Sequence, residues 1–533
     1  MIRPTLRLAA LLLLLLLLLP AGPAHAQLEE LRIADSRGDW GPPSPYLHYP
    51  RGPGYIRMSW LFDTLIWKDR EGFIPALADS WEFNPQELSY TFNLNPKAKW
   101  HDGRPLTAAD VAFTIELFQR HPYHWVNVEH IDHSEVRGPH QVVIRLQKPY
   151  APFLADVAGT MPILPEHIWR EVADPSALRT PEAFIGSGPY RLGDYNPTQG
   201  SYLYLAFADH HQGAPKARRL IYLRSGQPLV SLGNRQADLA QISPEMVTPL
   251  QNQGFTVIRD ERGWNKKLMI NHQRPPFNDR RFRQALAHAI DRRELIAKSQ
   301  RGHGRPASYG LLSQDHPCYN PELPDYPPDP ERVRALLAEL GFSPDANGFF
   351  QHQDRPLQVE LLVSNITASG QSAPDRDGEV VKMQLERAGI KVALINLEQA
   401  TTDQRVKSWN FDLALSGHGG IGGDARILNE MISAKYGAGS VNSARFDQNP
   451  ELNRLLDQQL LAMDPEERRR IVGRIQELHA RELPAIPLYY PDSYSAYHPA
   501  PGIAWFYTRG GIGKGIPIAQ NKVALLNGPP PAP

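Results

Sequence analysis

The stretch Trp100-His101-Asp102-Gly103-Arg104-Pro105-Leu106-Thr107-Ala108-Ala109-Asp110-Val111 holds a turn, a helix cap and the start of an amphipathic helix. His101-Asp102-Gly103 supplies the turn, because glycine reaches backbone angles closed to other residues. Thr107 and Asp110 have the spacing of a capping box, in which each side chain satisfies a backbone N–H of the other. Val111, Ile115 and Phe118 then fall on one helix face. Just upstream, Ile74-Pro75-Ala76-Leu77-Ala78-Asp79-Ser80-Trp81-Glu82 runs into Leu88, Tyr90, Phe92 and Leu94, which alternate with polar residues as in a half-buried strand. Asp79, Trp81, Asp102 and Asp110 therefore read as turn, cap and core residues, which identify a fold rather than a ligand.

The same logic extends outward. Leu31-Arg32-Ile33 is a short first strand, followed by the loop Asp35-Ser36-Arg37-Gly38-Asp39-Trp40. Val142, Ile144 and Leu146 alternate, as do Tyr202, Tyr204 and Ala206, and Gly186-Ser187-Gly188-Pro189-Tyr190 makes a tight turn into a strand. Asp279 can cap a helix with Phe282, Leu286, Ala289 and Ile290 on one face, and Asp291 can open the next. Asp329-Pro330 has the cap-then-proline order of a helix start, with Val333, Leu336, Leu337 and Leu340 before Gly341. Strands near 359–363 and 392–397 flank a helix around 380–388, so the chain is α/β.

The first 26 residues read as a secretory leader: Arg3 and Arg7, an apolar run over 8–19, then Ala24-His25-Ala26 as the cleavage site. An apolar run of twelve residues falls short of the roughly 18 needed to cross a bilayer. The expected location is the periplasm, with cleavage after Ala26. The leader takes two of the 57 basic residues and none of the 57 acidic ones, so the mature chain carries 55 against 57, a formal charge of minus two. That balance offers no footprint for nucleic acid or an anionic membrane. Cys318 is the single cysteine, which excludes an intrachain disulfide and an acylated cysteine beside the cleavage site. The Pro-rich tail 529–533 reads as frayed.

Four of these blocks together resemble the periplasmic solute-binding proteins of family 5, the dipeptide, oligopeptide and nickel receptors of ABC importers. They are residues 74–81, residues 100–111, Gly186-Ser187-Gly188-Pro189-Tyr190, and Phe277-Asn278-Asp279-Arg280-Arg281-Phe282-Arg283-Gln284-Ala285-Leu286 with Ala289-Ile290-Asp291-Arg292. The resemblance implies a two-lobed periplasmic-binding-protein type II fold of cluster C, with an extra domain inserted in the first lobe. Carried onto this chain, lobe one comprises 27–62, 187–267 and 483–533, the inserted domain 63–186, and lobe two 268–482. It also implies a monomer that captures a peptide or small solute in a hinged cleft and docks on a permease and ATPase complex, with no cofactor and no insertion into the membrane.

Residues 411–416 form a strand pattern that leads into Gly417-His418-Gly419-Gly420-Ile421-Gly422-Gly423-Asp424. In the family this strand end presents main-chain groups to an extended peptide. Glycines there let backbone approach a ligand. Gly417, Gly419 and Gly422 also match the spacing of a dinucleotide loop before a possible helix over 425–435, yet the acid-ended second strand that would grip a ribose is missing. Peptide-binding relatives carry an aromatic residue and an aspartate in this loop. Here His418 takes the aromatic position and Ile421 the acidic one, which leaves a nickel or other metal chelate open beside a peptide. The expected contacts are Arg37, Asp39 and Trp40 from lobe one and Gly417, His418, Gly419, Gly420, Asp424 and Arg426 from lobe two. Arg37 or Arg426 would meet a ligand carboxylate, and Asp39 or Asp424 an amine.

His121, His124, His130 and His133 could chelate a metal, but read as surface histidines in the inserted domain; His210-His211 is equally unspecific. No H-E-x-x-H or G-x-S-x-G is present, and Gly513-Lys514 lacks the hydroxyl residue of a phosphate loop. The expected protein is not an enzyme; a secreted hydrolase and a periplasmic chaperone are the rival classes.

Overall fold

A computed structural model describes residues 28–260, 263–364, 376–500, 502–508 and 510–526; the leader and the Pro-rich tail lie outside the described residues. The first sheet has seven strands in the order Thr256–Asp260, Ser493–Tyr497, Leu239–Ile242, Leu28–Asp35, Ala217–Arg224, Ser201–Ala206 and Tyr190–Asn196. Leu28–Asp35 is central and runs parallel to both neighbours, while the outer pairs are antiparallel. Its Leu31 and Ile33 face one core, and Ala34 faces another beneath the helices Pro228–Gly233 and Val247–Asn252.

Between Trp60 and Tyr190 the chain leaves this sheet and builds a four-stranded antiparallel one, ordered Ala78–Asn84, Ser89–Leu94, Gln141–Leu146 and Ile131–Val136. The capping box read from the sequence is present: the Asp110 carboxylate accepts from the Thr107 N–H at 2.8 Å at the start of the helix Ala108–Arg120. His101 explains a second block. Its Nδ1 accepts from the Gly186 N–H at 3.1 Å and its Nε2 donates to the Gly188 carbonyl at 3.0 Å, so the turn at 101–103 clamps the Gly-Ser-Gly segment. A Cβ on Gly186 would stand 1.9 Å from the Leu61 carbonyl oxygen, which makes that position glycine-only. One continuous hydrophobic cluster runs from Ile33 and Tyr222 to Phe92 and Val111, so this sheet and the first share a core.

The second sheet is six-stranded, in the order Gly304–Pro306, Ala485–Pro491, Trp264–Ile270, Leu413–Gly419, Gln358–Ser364 and Lys391–Leu397. It is buried on both faces. Leu268, Leu361 and Leu415 pack on one side with the helices Arg280–Ala289 and Arg376–Arg387; Met269, Leu362 and Ala414 pack on the other with Pro450–Leu461 and Pro465–Glu482. Asp279, Asp291 and Asp329 cap their helices as the sequence predicts. The chain changes sheet between Asp260 and Trp264 and again between Pro491 and Ser493. The borders expected at 267/268 and 482/483 thus differ from the crossings, because Trp264–Ile270 and Ala485–Pro491 are strands of the second sheet. The Arg259 guanidinium lies 2.7 Å from Asp492, tying the two crossings together.

Candidate functional site

The loop after the first strand is held by Asp35. Its carboxylate takes the Arg57 guanidinium at 2.6 Å and the Trp40 indole N–H at 2.8 Å, and accepts the backbone N–H groups of Arg37 and Gly38. Burial opposes ionisation of Asp35, but the Arg57 charge and these donors outweigh it and hold its pKa below the usual carboxylate value. Asp39 is engaged too, accepting from the Tyr195 hydroxyl at 2.7 Å and the Gly41 N–H at 2.9 Å. Asp39, expected to meet a ligand amine, thus holds the turn through these two partners. Arg37 stays exposed, with its guanidinium 4.4 Å from the Trp40 ring centre and 5.0 Å from that of Tyr49. Arg37, Trp40 and Tyr49 thus make a cation–aromatic surface that the sequence reading lacked in its third member.

The glycine strand faces a different partner from the one expected. Trp264 stands opposite Gly419 in the ladder, and a Cβ on Gly417 would meet its indole Nε1 at 2.1 Å. Gly417 and Gly419 therefore make room for Trp264 on that face of the strand. Gly420, at φ +79°, abuts the C-terminal segment: a Cβ there would lie 2.8 Å from the Lys514 carbonyl oxygen. The helix expected over 425–435 is shorter, Ile427–Ile432, and a second begins at Ala434 after Ser433 adopts an extended conformation. The strand itself is asymmetric. All of Leu413–Gly419 pairs with Trp264–Ile270, but on the other side only Leu413 and Ala414 pair with Gln358–Ser364. Among the described residues, no strand pairs with that second edge from Leu415 to Gly419.

Behind this edge lies a dense set of charges. Arg426 is ion-paired with Asp156, on the π-helical turn Leu154–Ala158 of the inserted region, and sits 3.6 Å from Glu430. The Tyr150 hydroxyl donates to Asp156 at 2.7 Å. Asp424 is ion-paired with Arg468 and accepts the Arg426 N–H at 2.8 Å, so the two residues expected to meet a ligand amine and carboxylate both have partners within the protein. His418 points Nδ1 at the Gly419 carbonyl, 2.6 Å away, and Nε2 at Glu430, 3.5 Å away. The hydrogen bond from His418 holds the Glu430 carboxyl down to about 2. Beneath them Lys267 is fully enclosed, its ammonium 2.5 Å from the Asn442 carbonyl, and burial lowers it to about 7. Asp156, Glu430 and Lys267 were missed by sequence reasoning, since none belongs to a local motif, and Lys514 was considered only as part of an incomplete phosphate loop.

Asp63, His210 and His211 bring three possible metal-ligand atoms within 4.8 Å of one another. The donor set is compromised. The Lys522 ammonium lies 2.5 Å from one Asp63 oxygen, His210 Nε2 lies 3.1 Å from the other, and His211 Nε2 bonds the Ala76 carbonyl at 2.8 Å. A cation already stands where a metal would place its charge. The histidines at 121–133 do not converge either: His130 is buried and stacked 3.9 Å from Tyr150, which departs from the surface reading, whereas His133 is exposed beside Asp132 and Glu135.

Two sheet-based lobes, joined by paired crossings and touching across a polar face, define a periplasmic-binding-protein type II fold of cluster C. The similarity to NikA from Brucella suis in complex with Fe(III)-EDTA fits it, with TM-score 0.79, 22% identity and coverage of 92% of this chain and 100% of that one. Residues 72–440 match the bacterial extracellular solute-binding proteins, family 5 Middle, and the chain belongs to that family. It is 27% identical over 470 residues to heme-binding protein A of Haemophilus influenzae, covering 80% of each chain. It is also 27% identical over 455 residues to di/tripeptide-binding protein 2 of Pseudomonas aeruginosa, covering 79% of this chain and 82% of the relative. Among the described residues, no helix is long and apolar enough to cross a membrane.

Proposed function

We propose that the protein is the periplasmic receptor of an ABC importer, capturing di- or oligopeptides between its lobes and handing them to a membrane permease. The observation that carries this reading is the one-sided strand: among the described residues, the main chain from Leu415 to Gly419 has a sheet neighbour on one side only, and an extended peptide can add there as a further strand. The similarity to a di/tripeptide-binding protein supports it. The contact set we infer is the Arg37–Trp40–Tyr49 surface from lobe one, and from lobe two the main chain of residues 417–420 with His418.

We place the hinge at the two crossings, Asp260 to Trp264 and Pro491 to Ser493. Peptide binding favours the closed arrangement by the extra contacts it makes there. The ligand leaves unchanged, so the role is capture and delivery rather than catalysis.

The test is native mass spectrometry of protein purified without refolding, followed by thermal melting with the recovered compounds. A set of peptide masses and a saturable rise in melting temperature are expected, since a ligand that binds only the folded state stabilises it by RT ln(1 + [L]/Kd). Turnover of those peptides would favour a hydrolase, and suppression of client aggregation without saturable binding a chaperone. A metal chelate is the second reading, favoured by His418 at the strand end. Since both His418 ring nitrogens face internal acceptors, ligation would require the ring to turn away from Glu430. A chelate mass that disappears in His418→Ala would select it.

A further inference from the structure

The arginines of the interlobe face are already committed. Arg426 is paired with Asp156 and Arg468 with Asp424, while Arg37 stacks on Trp40 at the surface. Two lysines are not. Lys68, only 9% exposed, ends the strand Ile66–Lys68 and has no ion pair or hydrogen bond to its ammonium among the described residues; the ammonium lies 5.1 Å from the centre of the Phe73 ring. The Lys514 ammonium likewise has neither, and its side chain is partly exposed.

Both reach the same turn. A methyl on Gly159, the residue that closes Leu154–Ala158, would lie 3.6 Å from Ile66 and 3.4 Å from Phe73, so the Lys68 strand packs against the turn that carries Asp156. On the other side, a methyl on Gly513 would touch Tyr55 and Thr160 at 3.3 and 3.6 Å, which brings the Lys514 loop to that turn as well. Electrostatically Lys68 feels Asp424 and then Asp156, while Lys514 feels Asp156, Arg426 and Glu430. These acids are already engaged: Asp156 is ion-paired with Arg426, Asp424 with Arg468, and Glu430 lies beside His418 and Arg426, so the two ammonium groups share counter-charges that other cations hold more closely. Burial pushes both lysines below their ordinary pKa, the response of a cation short of a counter-charge. A buried charge with no partner is costly, and an anion placed between the lysines would remove that cost.

We propose that Lys68 and Lys514 form an anion-binding position at the interlobe face, and that it receives the carboxylate of the captured ligand. The identity of that ligand rests on the peptide reading above; the anion site itself does not. Lobe two supplies the strand edge from Leu415 to Gly419, and the first lobe with its inserted region supplies the charge that fixes the ligand's acidic end.

The experiment has two arms. In the first, trialanine and trialanine amide are titrated calorimetrically into the wild type, Lys68→Met and Lys514→Met, each checked for native circular dichroism. Methionine keeps an apolar stem of similar length without the charge. The wild type is expected to prefer the free carboxylate at least tenfold, and each variant to lose most of that preference by weakening for trialanine alone. An undiminished preference in both variants would overturn the proposal. In the second arm, thermal melting is followed with sodium acetate against sodium chloride at fixed ionic strength. Greater stabilisation by acetate in the wild type than in the Lys68→Met/Lys514→Met double variant is expected, and an equal response of the two would overturn the anion site. If neither peptide binds while the acetate difference is present, the peptide reading fails and the anion site stands.

Discussion

Arg426 and Asp156 are ion-paired across the two lobes, and both are largely withdrawn from solvent, at 19% and 7% side-chain exposure. Removing one partner leaves a poorly compensated charge, which typically costs about 3–5 kcal/mol for a buried pair. Asp156→Ala and Arg426→Ala should each lower the urea midpoint, and the double variant should lose clearly less than the sum of the two. A double-mutant cycle measures the coupling; strict additivity would mean the pair contributes nothing to holding the lobes together.

Gly417 is fixed by Trp264 rather than by a ligand. Because a Cβ there would fall inside contact distance of the indole, Gly417→Ala forces the ring or the strand to move, at a cost on the order of 1–3 kcal/mol. Gly439, with open space around its Cβ position, is the control, and Gly439→Ala should leave the melting temperature nearly unchanged. Equal effects of the two substitutions would show that Trp264 does not occupy the face of Gly417 in solution.

Acid should unfold the protein in a defined window. Burial is the leading reason that His101 titrates at about 4 in the folded state, against 6.5 for an ordinary histidine. Between those values the unfolded chain binds the proton and the folded chain does not, so stability is fully present above pH 6.5 and declines as the pH falls toward 4. A shift of this size corresponds to about 3 kcal/mol. His211, half-buried, and His479, buried, are likewise lowered to about 4, chiefly by burial, and add to the slope. His101→Gln should flatten the pH dependence of chemical unfolding between pH 6.5 and 4, even if it lowers stability at pH 7; an unchanged slope would place the acid sensitivity elsewhere.

These outcomes also mark how far the sequence could be read. Signals carried by residues close together were legible: Thr107 with Asp110, Asp279 and Asp291 before their helices, and the alternation of Leu88, Tyr90 and Phe92. The same cap-then-proline signal stands at Asn449-Pro450 and Asp464-Pro465, which open the helices Pro450–Leu461 and Pro465–Glu482. The site was less legible for a physical reason. Glycines at 417 and 419 look alike whether the space above them belongs to a ligand or to Trp264, and the tryptophan lies about 150 residues earlier in the chain. Asp156 and Arg426 come together only where one lobe meets the other, and Lys68 and Lys514 approach the same turn only because the inserted region packs against the C-terminal segment. No spacing rule encodes a meeting of that kind.

Gly420 reports on that closure directly. Its φ of +79° is costly for any residue with a Cβ, a penalty of roughly 1 kcal/mol paid whether the lobes are together or apart. The clash with the Lys514 carbonyl is different, because it exists only where the second lobe meets the C-terminal segment at 510–515. Gly420→Ala should therefore act twice: a small fall in the melting temperature of the empty protein, and a further loss that appears only on ligand binding. If the contact costs about 1–3 kcal/mol, the affinity for the co-purified ligand falls by about five- to over a hundredfold. Calorimetric titration against wild type reads the second effect and melting without ligand reads the first. A lowered melting temperature with unchanged affinity would mean that the lobes bind ligand without bringing Gly420 against Lys514.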